Sequence, residues 1–426
     1  MGEAAVLLGC IADDLTGATD LALMLTRGGM RTVQVMGVPA PGTKFEGFDA
    51  VVVAMKSRTN AVAEAVEWSL RSTEVLQAAG ARQIFFKYCS TFDSTPAGNI
   101  GPVAEALIER LDGGLAIVCP AFPTLKRTIF QGYLFVGQQL LSDSPMRDHP
   151  LTPMRNANLV EVMQAQTPLK VGLVAYEVVE AGPKAIRTAF DTARAAGDRF
   201  VVVDAINDEH LEHIGKAICD HPLITGGSGV ARGLPDNFAR AGLLEKSDAN
   251  QPMEAKPGRA AILSGSCSVA TRGQVARAAA AGIPVMRVDA LDLSLGKVSV
   301  QDILQFALAQ PADVPVMIYS SDTPDGVAEV QDRLGREAAG ELLENAMSEL
   351  AQGLIAHGFS KLIVAGGETS GAVVGGLGVT AIEIGPEIDP GVPWTRSLDD
   401  QGLVLALKSG NFGAEDFFLK AWDQLA

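Results

Sequence analysis

The sequence predicts an α/β protein of two domains, each a mainly parallel sheet flanked by helices, with the active site in the interdomain cleft. Three observations lead there. Short apolar runs alternate with amphipathic stretches along almost the whole chain. Aromatics are only 5% of residues, so the cores are built from Ala, Val, Leu and Ile, which suits strands covered on both faces. The rhythm breaks once, before residue 258, and then restarts; 426 residues are in any case too many for one ordinary core.

The elements follow in order. Ala5–Ala12 is an apolar strand ending at Asp13-Asp14, and the amphipathic stretch after Thr16-Gly17 is a helix stopped by Gly28-Gly29. Strands are read at 31–37, 49–55, 83–88 and 115–120, with a long helix near 61–80. A Pro-rich irregular stretch covers about 120–155, and strands resume at 170–174 and 200–205. HPLITGGSGVARGL (221–234) closes this half. Repeated βα units of this kind imply a parallel, doubly wound sheet. The first domain is taken as 1–245, a polar linker as 246–258 and the second domain as 259–426. Strands in the second domain are expected at 260–266, 284–289, 314–321, 361–367, 380–385 and 403–410.

The net charge is −16, which argues against a nucleic-acid or anionic-membrane partner and requires a local island of cations for any anionic substrate. Five scattered cysteines without CxxC spacing favour a reducing compartment and give no metal signature. With no apolar run long enough to span a bilayer, the expected location is the cytoplasm.

In open parallel sheets, ligands bind outside the carboxyl ends of the strands. Three such ends in the second domain are rich in Gly, Ser and Thr: Ser264-Gly-Ser266-Cys-Ser268, Gly366-Gly367-Glu368-Thr369-Ser370-Gly371, and Lys408-Ser-Gly410-Asn-Phe-Gly413. Small residues let a phosphate approach the backbone, and helix N-termini favour negative charge. One Gly-rich turn would be structural; three point to a nucleotide cradle. Glu368 would hold Mg²⁺ through water, accept from a ribose, or only cap a helix. No P-loop motif occurs.

In the first domain, Asp13 and Asp14 are paired carboxylates at a strand end, where a single Asp would suffice as a cap. One is a candidate general base or substrate contact. Arg58 and Lys87 are cations at neighbouring strand ends, and Lys87 opens the hydroxyl-rich loop Tyr88-Cys89-Ser90-Thr91. A cation, hydroxyls and a carboxylate together suit a polyhydroxy acid. The five histidines form no metal set, and no metal ligands are assigned. A loose GxGxxxG at Gly227–Gly233 keeps an NAD(P)-dependent sugar-acid dehydrogenase as a rival, although a tight turn explains it more simply.

The segments IADDLTGATDLA (11–22), KYCSTFDSTPAGNIGPV (87–103), LSGSCS (263–268), GGETSGAV (366–373) and KSGNFG (408–413) resemble the four-carbon acid sugar kinase family, in the same order across both domains. The resemblance implies ATP as phosphoryl donor, Mg²⁺, and a terminal hydroxyl of a small sugar acid as acceptor. It places Asp13, Arg58, Lys87, Tyr88, Cys89 and Ser90 at the substrate, and Ser264, Ser266, Gly366, Gly367, Glu368, Thr369 and Gly410 at ATP. The 87–99 segment, lacking the Arg of the threonate and erythronate enzymes, together with GGMRTVQ (28–34), is similar to the subgroup acting on 3-oxo-tetronates. D-threonate or D-erythronate remains the alternative substrate, a non-catalytic sugar-acid sensor is a further rival, and a homodimer is left open. The expectation for the mechanism is that Arg58 and Lys87 hold the carboxylate while Asp13 or Asp14 orients the hydroxyl.

Overall fold

The structure, a computed structural model, describes residues 6–149, 151–249 and 251–426. Ala5, Pro150 and Asn250, assigned above to the first strand, the irregular loop and the linker, lie outside the described residues. The chain divides into two compact units between Asp248 and Ala249.

Unit 1 begins with β1 (Leu8–Ala12), α1 (Leu15–Arg27), β2 (Thr32–Met36), β3 (Ala50–Ala54), α2 (Val62–Ala78), β4 (Gln83–Lys87), α3 (Ile100–Arg110) and β5 (Ala116–Cys119). Three short antiparallel strands follow, β6 (Arg127–Phe130), β7 (Tyr133–Val136) and β8 (Gln139–Leu140). They correct the expectation of an irregular stretch at 120–155. Asp204 fixes their first turn by accepting from the backbone N–H of Gln131 (2.6 Å) and Gly132 (2.9 Å). The unit continues with α4 (Leu159–Gln164), β9 (Val171–Val174), α5 (Tyr176–Glu180), α6 (Pro183–Ala195), β10 (Phe200–Val203), α7 (Asp208–Ala217), β11 (Leu223–Gly226) and α8 (Leu234–Arg240).

Its main sheet runs β2-β3-β1-β4-β11-β5-β10-β9, and every pairing is parallel. Every residue of β1, β3 and β4 is buried, as expected for central strands covered on both faces. Register then decides what meets at the carboxyl edge: Ala12 pairs with both Ala54 and Lys87. The residues that follow, Asp13 and the 55–58 segment, are therefore brought level with Lys87.

Unit 2 contains β12 (Arg259–Ser264), α9 (Val269–Ala280), β13 (Val285–Arg287), α10 (Ala290–Ser294), α11 (Val300–Ala309), β14 (Val316–Tyr319), α12 (Pro324–Leu334), α13 (Arg336–Ala356), β15 (Phe359–Ala365) and α14 (Gly367–Gly376). It ends with β16 (Ala381–Asp389), β17 (Val392–Ser397), β18 (Val404–Lys408) and α15 (Phe417–Lys420). The order is β13-β14-β12-β15-β18-β17-β16. The first five strands are parallel, while β17 is antiparallel to both its neighbours. Trp394 on β17 is fully buried with Phe417 and Phe418, and its indole N–H donates to Ala421 O at 2.7 Å. Full burial of such a side chain stabilises by about 3 kcal/mol. Among the described residues, no helix is long and apolar enough to cross a membrane.

Candidate active site

In unit 1 the paired aspartates have separate jobs. Asp14 is the N-cap of α1, where its Oδ1 accepts from Gly17 N at 3.0 Å; Arg58 lies 3.1 Å and Lys87 Nζ 3.9 Å from that same oxygen. Its side chain stays a third exposed. Asp13 is buried and forms a bidentate pair with Arg58, Nε to Oδ2 at 2.8 Å and Nη2 to Oδ1 at 2.9 Å. Burial pushes the Asp13 carboxyl up, opposed by the hydrogen bonds and charge of Arg58 and by Lys87. Burial acts to lower Arg58, but Asp13 and then Asp14 outweigh it and hold the guanidinium above its ordinary value.

Two further carboxylates complete the cluster, and the residue-by-residue assignment missed both. Asp93 lies 3.5 Å from Arg58 Nη1 and accepts from Thr91 Oγ1 at 2.7 Å. It follows Phe92, and both residues carry positive φ (65° and 48°), an unusual backbone for non-glycine residues. Asp20, one turn and a half along α1, accepts from Ser228 Oγ. Burial raises its carboxyl, while Lys87 and Ser228 pull it down. Asn99 fastens the Arg58 loop by donating to Ser57 O (2.7 Å) and Asn60 O (3.0 Å). Hydrogen bonding between such distant positions has no local sequence signal.

Lys87 is buried, and its ammonium lies against the first turn of α1: a Cβ at Gly17 would come within 2.1 Å of Nζ. Cys89 and Ser90 are half-buried; the Cys89 thiol is 3.0 Å from Thr91 Oγ1, and burial raises it to about 11. Two of the assigned residues are already engaged within the unit. Tyr88 is fully buried with its hydroxyl 2.9 Å from Thr225 Oγ1. Arg58 has its Nε and Nη2 engaged by Asp13. Gly227, Gly229 and Gly233 serve close packing; a Cβ at Gly233 would meet Gly215 Cα of α7 at 2.9 Å. The tight-turn explanation of that motif therefore stands over the dinucleotide one.

In unit 2 the carboxyl ends of β14, β12, β15 and β18 lie side by side. Gly366 has φ of 129° and precedes α14 with no side-chain cap, so the first N–H groups of that helix have no side-chain acceptor. Gly367 and Glu368 are exposed there, and a Cβ at Gly367 would meet nothing within 4 Å. Thr369 is buried with Oγ1 packed against Gly265. Ser266 is half-buried, and its Oγ accepts from Ser268 N at 3.3 Å. Ser264, by contrast, is fully buried, its Oγ 3.1 Å from that of Ser321. The end of β14 (Ser320-Ser321-Asp322-Thr323) is a fourth loop that the sequence reading passed over, although its hydroxyl-rich pattern was visible.

Gly410 is the best-fastened part of the cradle. Its carbonyl accepts from Ser268 Oγ (2.6 Å), Thr271 Oγ1 (2.7 Å) and Lys408 Nζ (3.1 Å). Lys408 is fully buried and also donates to Thr271 Oγ1 at 2.9 Å; desolvation lowers its ammonium to about 8. No group of three or more potential metal ligands occurs among the described residues. Mg²⁺, which takes phosphate oxygens, waters and one or two carboxylates, would need no such group, and the exposed Glu368 would be available as a carboxylate.

Residues 8–234 match the family model of a sugar-binding N-terminal domain, and residues 261–418 that of a nucleotide-binding C-terminal domain. The chain is 53% identical over its full length to a 3-oxo-tetronate kinase of Pseudomonas savastanoi pv. phaseolicola, covering 99% of that protein. It is 54% identical, over 97% of this chain and 96% of the other, to a 3-oxo-tetronate kinase of Burkholderia multivorans. The fold is similar to two crystal structures. One is of a Salmonella typhimurium LT2 protein described as a tRNA synthase (42% identity, TM-score 0.92, covering 98% of this chain and 99% of that one). The other is of a Haemophilus influenzae protein (41% identity, TM-score 0.88, covering 98% of this chain and all of that one).

Proposed function

The chain belongs to the four-carbon acid sugar kinase family, and on that premise we propose that it transfers the γ-phosphoryl group of ATP to the C4 hydroxyl of a 3-oxo-tetronate, giving the 4-phosphate. It is an enzyme, a phosphotransferase with an alcohol group as acceptor. The observation that carries the reading is the open N-terminus of α14, flanked by the Ser266 and Gly410 loops: bare backbone N–H groups and hydroxyls gathered where a nucleotide's phosphates would lie. The paired carboxylates of unit 1 supply the complementary acceptor site. A net charge of −16 speaks against tRNA as a substrate. Five free cysteines favour a reducing compartment, in keeping with work in the cytoplasm.

In this mechanism Asp14 orients the acceptor hydroxyl and takes its proton. Among the described residues, Gly17, Arg58 and Lys87 all make their closest approach to Oδ1, which leaves Oδ2 to face substrate. Asp13 holds Arg58, and Arg58 in turn neutralises Asp14 and Asp93. Lys87 is the cation for the acid's carboxylate, and Cys89 and Ser90 are polar contacts beside it. In unit 2, Ser266, Gly366, Gly367 and Gly410 line the phosphates, while Thr369 and Ser264 keep their loops in place. Mg²⁺, held in part by Glu368, would supply neutralisation of phosphate charge. Phosphoryl transfer asks little else of a protein beyond positioning and charge neutralisation.

A coupled assay of ADP release against 3-oxo-tetronates generated in situ, D-threonate and D-erythronate tests the proposal. Turnover only with the oxidised acid is expected. Turnover with threonate or erythronate alone would keep the kinase and discard the substrate; no ADP with any acid would discard both.

A further inference from the structure

Unit 1 carries a second concave site at the edge of the sheet opposite Asp13 and Lys87. A groove of about 890 Å³ opens beside Arg82 and Gln83, at the amino end of β4. That volume lies in the range of small-molecule sites. Five cations line it, Arg82, Lys184, Arg187, Lys216 and Arg240, against the single carboxylate of Asp220. Such a concentration is unexpected in a chain of net charge −16, and it marks a place where an anion is attracted while the rest of the surface repels it.

Two of the arginines are fixed in advance. Arg187 donates to Lys216 O at 2.8 Å at the end of α7, where the helix dipole favours a cation. Arg240 donates to Asn237, which itself donates to Gly215 O at 2.8 Å. The wall also includes apolar surface, Phe238 and Leu243 among it.

The end of β4 gives the groove a rigid floor. Gln83 lines the groove and is buried; its amide N–H₂ donates to Ile218 O (3.0 Å) and His221 O (2.7 Å). Those two carbonyls fix the amide's orientation, and its Oε1 is buried from the groove, so Gln83 shapes the wall. Arginine forks select phosphate among anions. We infer that this groove is a binding site for a small phosphate monoester, whose phosphate meets the arginines and whose carbon body lies on Phe238 and Leu243. The inference is independent of the kinase reading, because none of these residues belongs to the candidate active site.

Cys219 lines the groove and is exposed, 3.1 Å from Arg187 Nη2; an added cysteine-containing peptide serves as the reference, because Cys267, also exposed, lies in the nucleotide cradle. Alkylation of Cys219 and of the peptide by iodoacetamide is followed by mass spectrometry on the full-length enzyme, at matched ionic strength, with glycerol 3-phosphate, inorganic phosphate or chloride. Glycerol 3-phosphate at ten times its dissociation constant is expected to slow Cys219 alkylation about tenfold by simple occupancy. Inorganic phosphate should require higher concentrations, and chloride should do nothing. The exposed pair Arg82→Gln/Arg240→Gln should abolish the protection and leave basal ADP release unchanged. Titration calorimetry on the same proteins reads binding even where the bound ligand leaves the thiol open. Absence of both heat and protection, protection by chloride or inorganic phosphate equal to that by glycerol 3-phosphate, or binding that survives in the double variant would overturn the assignment.

Discussion

Replacing Gly410 with Ala probes the nucleotide cradle with one methyl group. A Cβ there would lie 2.4 Å from Ser266 Oγ and 3.2 Å from Ser268 Oγ, the first well inside any real contact. The loop cannot retreat easily, because three donors hold the Gly410 carbonyl. Ser266 must therefore rotate and give up the 3.3 Å bond from Ser268 N. The lost hydrogen bond costs about 1 kcal/mol and the residual crowding about another. A total near 2 kcal/mol lowers the Tm of a unit this size by roughly 4–8 °C. Turning Ser266 Oγ away from the phosphates removes a hydrogen bond to a charged group, worth about 1.5–3 kcal/mol, so the KM for ATP rises roughly 10- to 100-fold. Adding Ser266→Ala removes the overlap. The double variant should regain most of the lost Tm, while its KM for ATP stays high. Calorimetric melting and initial-rate kinetics measure the two effects separately. If Gly410→Ala leaves both untouched, or if Ser266→Ala restores ATP affinity, the packing argument and the phosphate role of Ser266 fall together.

The aspartate pair separates by substitution. Asparagine is as good an N-cap as aspartate, so Asp14→Asn should hold stability within about 0.5 kcal/mol yet lose roughly 10²–10⁴ in kcat. Asp13→Asn leaves Arg58 without its main partner and should cost about 2–4 kcal/mol in urea unfolding, tempered by Asp14 and Asp93; equal stability in the two variants would refute the division of labour. Tyr88→Phe should leave the sugar-acid KM within about twofold and cost about 1 kcal/mol of stability, since the hydroxyl serves Thr225 alone. Lys408 gives a pH signature. Its folded value of about 8 lies below the ordinary 10.5, so between these the unfolded chain holds a proton the folded one lacks. Stability therefore rises with pH across that window, by at most about 3 kcal/mol, and is flat from this source below it. Urea melts of wild type minus Lys408→Met should show that rise, and identical pH profiles would contradict it.

Most strands of both sheets were legible because central parallel strands are continuous apolar runs, as AVVVA of β3 and FVVV of β10 show. The strand-end rule then pointed to Asp13, Arg58, Lys87, Ser266, Gly366 and Gly410 without knowledge of pairing. Strands without that signature escaped. The members of the β6–β8 sheet are two to four residues long, with exposed positions among buried ones. VPWTRS of β17 carries a proline and no continuous apolar run, so it lacks the strand signature. Side-chain direction was the other loss. Tyr88 follows Lys87 immediately, and its side chain packs within the unit beneath Thr225, while Arg58 looked like a free cation because its partner lies 45 positions away.

The central claim is that phosphate ends on the C4 oxygen of an oxidised four-carbon acid. Phosphorus–proton correlation NMR of the product, formed from ATP and a 3-oxo-tetronate, tests it most directly. The account predicts a phosphomonoester whose phosphorus couples to the C4 methylene protons, formed in step with ADP. ADP matched only by inorganic phosphate, or a phosphorus signal without that coupling, would contradict it.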